Sequence, residues 1–124
     1  MALNILIALA GLMGAGGIVL AAVGAHAAPK AGLDNAAYML LFHAAAILCG
    51  ASLMQQGLLW RPLMLGVLTA WVVGAVLFSS DIALRAFLGH RLFALAAPTG
   101  GVILIAAWLG LAAAAVSALV QRGV

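Results

Sequence analysis

The chain has 124 residues, of which 69% are hydrophobic and only 6% are Asp, Glu, Lys or Arg. A soluble domain carries roughly 25% charged residues to keep its surface wetted, so this composition excludes a soluble globular domain and predicts an integral membrane protein. The net charge of +3 is too small and too scattered to indicate a nucleic-acid partner. The length suits a single transmembrane domain over residues 1–124, with room for four spans of about 20 residues each and short connections.

The first predicted transmembrane helix runs from about residue 3 to residue 28. The sequence Pro-Lys-Ala-Gly at residues 29–32 then supplies a helix-stop signal. Ala-His-Ala at residues 25–27 resembles the small-x-small cleavage site of a secretory signal peptide. However, no Lys or Arg precedes the apolar run, and the run is longer than the 7–15 residues or so of a signal-peptide core. A retained helix fits these features better than a cleaved leader.

The second predicted helix covers about residues 35–56. Asp34 or Asn35 is the expected N-cap, because the side chains of both residue types accept hydrogen bonds from the free backbone N–H groups of a first helical turn. Cys49 lies inside this apolar run, where a small buried core residue is expected. A single cysteine also cannot form an intramolecular disulfide.

The third predicted helix covers about residues 62–88 and begins at Pro62, a residue favoured at the first helical position. Trp60 and Arg61, just before it, form a pair typical of membrane-interface anchors. Asp81 and Arg85 could mark an aqueous loop, but their spacing of four residues, acid first, also suits an ion pair on one helical face. We favour the ion pair, which lets the helix continue to about residue 88.

Residues 89–91, Gly-His-Arg, then form a tight turn, and the fourth predicted helix covers about residues 92–121. Pro98 lies inside this range. A proline in a helix interior removes a hydrogen bond and clashes with the preceding turn, so a kink or a freed carbonyl group is expected near residues 95–98. The predicted fold is therefore an all-α, integral membrane four-helix bundle.

Four spans place both termini on one side of the membrane, but the basic residues do not decide which side. Two of them fall on the terminal side and three on the opposite side, which gives no clear answer by the positive-inside rule. The residues on the terminal side are Arg61 and Arg122, and those on the opposite side are Lys30, Arg85 and Arg91.

Small residues recur at helical spacing and predict close helix contacts, because association in lipid depends on packing rather than on hydrophobic drive. One such face is also available for self-association. The sets are Ala10/Gly14, Gly17/Ala21/Ala25, Gly66/Ala70/Gly74 and Ala106/Gly110.

Depth arithmetic at 1.5 Å per residue gives the main functional hypothesis. Counted from one membrane face, His43 lies roughly 13 Å deep, and Asp81 and Thr99 each lie roughly 11 Å deep. Ionisable groups at this depth are expensive unless they face partners. The hypothesis is an intramembrane polar cluster that is a candidate ligand-binding site. Its candidate residues are His26 at the mouth, His43, Ser79, Asp81, Arg85 and Thr99.

A plainer interpretation competes with this hypothesis: Asp81 pairs only with Arg85, while His43 bonds to a neighbouring helix. Neither interpretation predicts a catalytic residue, a metal or a cofactor. His26 and His43 fall at different estimated depths, which disfavours shared ligation of a haem or metal. Ser79 lacks the activated turn expected of a nucleophile.

Four motifs resemble, in order and spacing, those of the domain-of-unknown-function 423 family of small four-helix proteins of the bacterial inner membrane. The motifs are Gly24-Ala25-His26, Phe42-His43-Ala44, Gly74-x-x-Leu77-Phe78-Ser79 and Pro98-Thr99-Gly100-Gly101. Many members have Gly-Ser after Phe-Ser, whereas this chain has Ser80-Asp81.

The resemblance implies four helices, an inner-membrane location and cytoplasmic termini, since relatives often end in a basic tail of which Gln121-Arg122 is a remnant. It implies no established biochemical role. We therefore expect a non-catalytic structural or accessory membrane component whose partners are lipids and a second copy or a larger membrane complex. The alternative is a small-molecule, proton or lipid binder or transporter that uses the polar cluster.

Overall fold

The computed structural model describes residues 1–26 and 32–123. These residues form four helices, each long and apolar enough to cross a membrane, which confirms the predicted all-α four-helix architecture. The helices are α1 (Ala2–His26), α2 (Leu33–Gln55), α3 (Arg61–Leu88) and α4 (Ala96–Gln121). Most of the predicted stop signal at residues 29–32, including Lys30, lies outside the described residues.

The start of α2 differs from the prediction, because neither Asp34 nor Asn35 is the N-cap. That position belongs to Gly32, which has the left-handed φ of 90° that glycine adopts without steric cost. Its carbonyl accepts a hydrogen bond from the Ala36 N–H group at 3.0 Å. Asp34 instead lies in the first helical turn, where the helix dipole favours a negative charge.

The start of α4 also differs, because the helix begins at Ala96 rather than near residue 92. Pro98 therefore lies in the first turn, where no intrahelical partner is needed for the missing N–H group. The prediction that Pro98 lies in the helix interior is therefore wrong. The Thr99 N–H group donates to the Leu95 carbonyl at 2.9 Å, so regular helical bonding begins directly after the proline.

Consecutive helices pack as antiparallel neighbours, and α3 also contacts α1. Within residues 1–26 and 32–123, the backbone of α4 contacts that of α3 and of no other helix. Close contacts at glycine residues set the distances between the helices. A Cβ atom added to Gly100 in α4 would lie 2.7 Å from the Gly74 carbonyl oxygen and 2.8 Å from the Phe78 amide nitrogen in α3. The predicted close packing through small residues is therefore present at Gly74, and Gly17 makes a similar approach to α2 at Leu41.

The middles of the helices meet at one level. Gly14 and Ala44, the central residues of α1 and α2, lie against each other, and Trp71 of α3 contacts Trp108, which lies near the middle of α4. By contrast, α3 projects beyond the start of α2: Gly32, just before α2, lies against Ile82, six residues before the end of α3.

The core between the helices is apolar, with fully buried side chains such as Ile47, Met64 and Leu68. Cys49 is exposed on the outer, lipid-facing surface, so its predicted place in the core is wrong. The outward-facing surface is also apolar, as a lipid-solvated protein requires.

Candidate intramembrane polar site

His43 lies at the middle level of the helices and is 3% exposed. Its Nδ1 atom is 2.9 Å from the Met39 carbonyl oxygen, one turn earlier in α2. Since a carbonyl group only accepts, Nδ1 carries the proton and Nε2 is the acceptor. The Trp108 indole N–H group of α4 donates to that Nε2 atom at 3.3 Å. The neutral imidazole therefore has both nitrogens bonded, and it joins α2 to α4.

Three aromatic rings surround this imidazole. The Trp71 and Trp108 ring centroids are 4.6 Å apart, and the Phe42 ring lies edge-on to His43 at 5.3 Å. Trp71 is 1% exposed. Within residues 1–26 and 32–123, its Nε1 atom is the one buried side-chain nitrogen or oxygen without a hydrogen-bond partner. We call His43, Trp71 and Trp108 the central triad.

Asp81 forms a separate polar centre. Its Oδ2 atom is 3.1 Å from the Arg85 guanidinium, and its Oδ1 atom accepts a hydrogen bond from the Leu92 backbone N–H group at 2.9 Å. The Asp81 side chain is buried, while Arg85 is exposed. The ion pair predicted from the four-residue spacing is thus present. The carboxylate also anchors the segment that leads into α4, a contact that the sequence did not reveal.

The structure does not bring His43 and Asp81 together in one layer. The Ser79 hydroxyl group donates to the Ala36 carbonyl oxygen at 2.9 Å, so Asp81 lies level with the start of α2. His43 packs beside Trp71, ten residues earlier in α3. Ten helical residues correspond to about 15 Å along the axis. The predicted single cluster is therefore wrong as a geometric arrangement.

The depth estimate failed because it gave all helices a common end level. In fact α3 continues past the level of the α2 start, so counting back from Leu88 placed Asp81 too deep. Thr99 was placed too deep by the early start assigned to α4. It lies in the first turns of that helix with its side chain exposed, and His26 is likewise exposed at the end of α1.

Trp71 and Trp108 were not predicted as partners of His43. A signal for them exists, because tryptophans of membrane helices concentrate at the membrane–water interfaces. Two tryptophans at mid-span indicate that an indole N–H group needs an internal acceptor, and His43 is a buried polar side chain at that level. In the described part of the chain, no group of three or more His, Cys, Asp or Glu side chains could hold a metal ion.

Four helices that are long and apolar enough to cross a membrane define this molecule as a multi-pass integral membrane protein. The family model described as Protein of unknown function (DUF423) matches residues 20–101. Since the match covers more than half of the sequence, the chain belongs to this family, as its motifs predicted. No curated protein and no solved structure matches the chain.

Proposed function

We propose that this protein is a non-catalytic structural or accessory component of the bacterial inner membrane, with both termini in the cytoplasm. We further propose that it acts as a homo-oligomer or as part of a larger membrane complex, in contact with lipids and not with nucleic acid. The location and orientation rest on what the family resemblance implies.

One observation carries the structural role: apart from the Trp71 indole, the buried polar side chains of the described residues bond to other parts of this chain. His43 joins α2 to α4, Ser79 joins α3 to α2, and Asp81 joins α3 to the segment before α4. Hydrogen bonds between membrane helices stabilise their association. These groups therefore act as internal connections of a rigid frame, which supports a role in holding or organising neighbouring chains.

Native mass spectrometry of gently extracted protein tests this function. A homo-oligomer or a complex with another membrane chain, unchanged in Asp81→Asn, is the expected result. The matched control is Asp34→Asn, which makes the same change at an exposed site of α2. A monomer carrying a bound small molecule, with no second chain, contradicts the accessory role.

A second function, binding within the membrane of a small molecule that carries a hydrogen-bond acceptor, is favoured by the Trp71 indole. Buried polar groups are nearly always hydrogen-bonded, and the Nε1–H group of Trp71 has no partner in the described structure. A co-purifying molecule that is lost in both Trp71→Phe and His43→Ala would support this second function. A mass that both variants retain rules out the central triad as its site.

A further inference from the structure

The helix ends on the terminal side of the bundle enclose a pocket of about 200 Å³, which we call the end pocket. The turn between α2 and α3 forms one wall and the last turn of α4 forms the other. Three of its lining side chains, Trp60, Gln121 and Arg122, carry N–H donors, and Leu58 is among the apolar residues beside them. The pocket therefore combines hydrogen-bond donors with an apolar wall.

Arg122 is held in place across this pocket. Its Nη2 atom lies 3.4 Å from the carbonyl oxygens of both Gly57 and Leu58. These carbonyl groups follow the C-terminal end of α2, whose partial negative charge repels an anion. The guanidinium covers them, and its remaining N–H groups are available to an acceptor because an Arg side chain has five.

The positive charge at the end of the bundle that carries the end pocket favours the binding of an anion. Among the described residues, Arg61 and Arg122 are the charged side chains of this end, and neither has a carboxylate partner. The chain has only two acidic residues, Asp34 and Asp81, and both lie at the opposite end. The positive charge at the end pocket is therefore not neutralised by another side chain of this protein.

The depth of the end pocket relative to the bilayer indicates that the anion is a lipid headgroup. Gln56 lies twelve residues beyond the central Ala44 of α2, or about 18 Å along the helix axis. The hydrocarbon core of a bilayer is about 30 Å thick, so each leaflet contributes about 15 Å. With the middle of the helices at the bilayer midplane, the end pocket therefore lies at the level of the lipid headgroups. Trp60, which is exposed beside the pocket, is a residue typical of this level.

We propose that the end pocket binds the headgroup phosphate of an anionic phospholipid. Arg122 and the donors of Trp60 and Gln121 bind the phosphate oxygens, and Leu58 packs against the glycerol and the upper part of an acyl chain. A free phosphate ion would make the same contacts with the N–H donors but could not make the apolar contact with Leu58. The apolar wall and the membrane height therefore favour the lipid.

The test compares delipidated protein in detergent titrated with phosphatidylglycerol and with phosphatidylcholine of the same chain length, with bound lipid counted by native mass spectrometry. We expect a preference for phosphatidylglycerol of about fivefold for each basic side chain engaged. Arg122→Gln removes the main cation, and Ser117→Leu fills the pocket without changing charge. Both variants should lose the preference. Arg91→Gln, with the same charge change in an exposed turn at the opposite end, should keep it.

Three outcomes overturn the proposal. An equal loss in Arg91→Gln assigns the preference to overall charge, and an unchanged preference in Arg122→Gln and Ser117→Leu places the lipid elsewhere. Displacement of bound phosphatidylglycerol by millimolar inorganic phosphate assigns the pocket to a free anion. Circular dichroism of each variant verifies that the helices remain folded.

Discussion

At the scale of single residues, Asp81 combines two tasks in one carboxylate: it pairs with Arg85 and it accepts the Leu92 N–H group. Asp81→Asn keeps an oxygen acceptor for Leu92 and loses only the pairing with an exposed guanidinium, which is worth about 0–1 kcal/mol. Asp81→Ala also loses the bond to Leu92. A hydrogen bond to a charged group contributes about 1.5–3 kcal/mol, so this variant should be clearly less stable.

The free energy of unfolding, measured in mixed micelles with increasing dodecyl sulfate, gives this order directly. Asp81→Asn serves as the control, because it removes the ion pair, keeps an oxygen acceptor for Leu92 and leaves no unpaired buried carboxylate. Equal loss of stability in Asp81→Ala and Asp81→Asn would show that the Leu92 contact contributes nothing.

The His43–Trp108 hydrogen bond is a second connection whose strength can be measured. A double-mutant cycle with His43→Phe and Trp108→Phe should give a coupling energy of about 0.6 kcal/mol and no more than about 1.7 kcal/mol, the range found for hydrogen bonds between membrane helices. His43→Phe combined with Trp60→Phe is the matched control, since Trp60 lies at the membrane-surface end of the molecule. Distant substitutions add, so coupling in this control pair would invalidate the assignment.

The sequence predicted local polar contacts better than distant ones. The Asp81–Arg85 pair follows from a spacing of four residues on one helix. A bond from His43 to a neighbouring helix was one of two interpretations, but the sequence did not identify its partner residue. Trp108 lies 65 residues away along the chain, and such a contact depends on the rotation and axial shift of each helix, which spacing alone does not determine.

At the scale of helices, the α3–α4 contact depends on Gly100. A Cβ atom at this position would lie 2.7 Å from the Gly74 oxygen and 2.8 Å from the Phe78 nitrogen, and both are backbone atoms that cannot rotate away. Gly100→Ala should therefore force α3 and α4 apart, with an overpacking cost of about 1–3 kcal/mol. Gly101 has nothing within 4 Å of its added Cβ.

Gly101→Ala is thus the control, and it should leave stability unchanged or raise it by up to about 1 kcal/mol through better helix propensity. Dodecyl sulfate unfolding of both variants measures the difference. Similar stability of the two variants would mean that the close α3–α4 packing is absent in the membrane.

The sequence predicted the existence, order and approximate bounds of the four helices, because long apolar runs are a strong signal. It failed where short polar contacts set an end. α4 begins at Ala96 and not at the predicted position near residue 92, because Asp81 and Arg91 bind backbone groups of the preceding segment. The α2 start depends on the backbone conformation of Gly32, and this glycine had been placed in the preceding stop signal.

At the scale of the whole molecule, a groove between α3 and α4 supports the proposed self-association. Gly66, Ala70, Ala106 and Gly110 line it with small side chains, and a Cβ added to Gly66 meets nothing within 4 Å. Small residues of this kind allow membrane helices to approach closely. Gly66→Leu should fill the groove and reduce the oligomeric fraction seen by native mass spectrometry.

Gly11→Leu makes the same substitution on the exposed surface of α1, where an added Cβ also has nothing within 4 Å. This control should leave the oligomeric fraction unchanged. If Gly11→Leu alone reduced association, the interface would lie on α1 and not on the α3–α4 groove.

The orientation of the molecule in the membrane can be tested at its two ends. In a Cys49→Ala background, Gln56→Cys reports the end that carries the termini, and His90→Cys reports the opposite end; both positions are exposed. With cytoplasmic termini, a membrane-impermeant maleimide added to intact spheroplasts should label His90→Cys at once and Gln56→Cys only after lysis. The reverse pattern would contradict the proposed orientation. It would also move the end pocket to the other leaflet, because Gln56 and the pocket lie at the same end of α2.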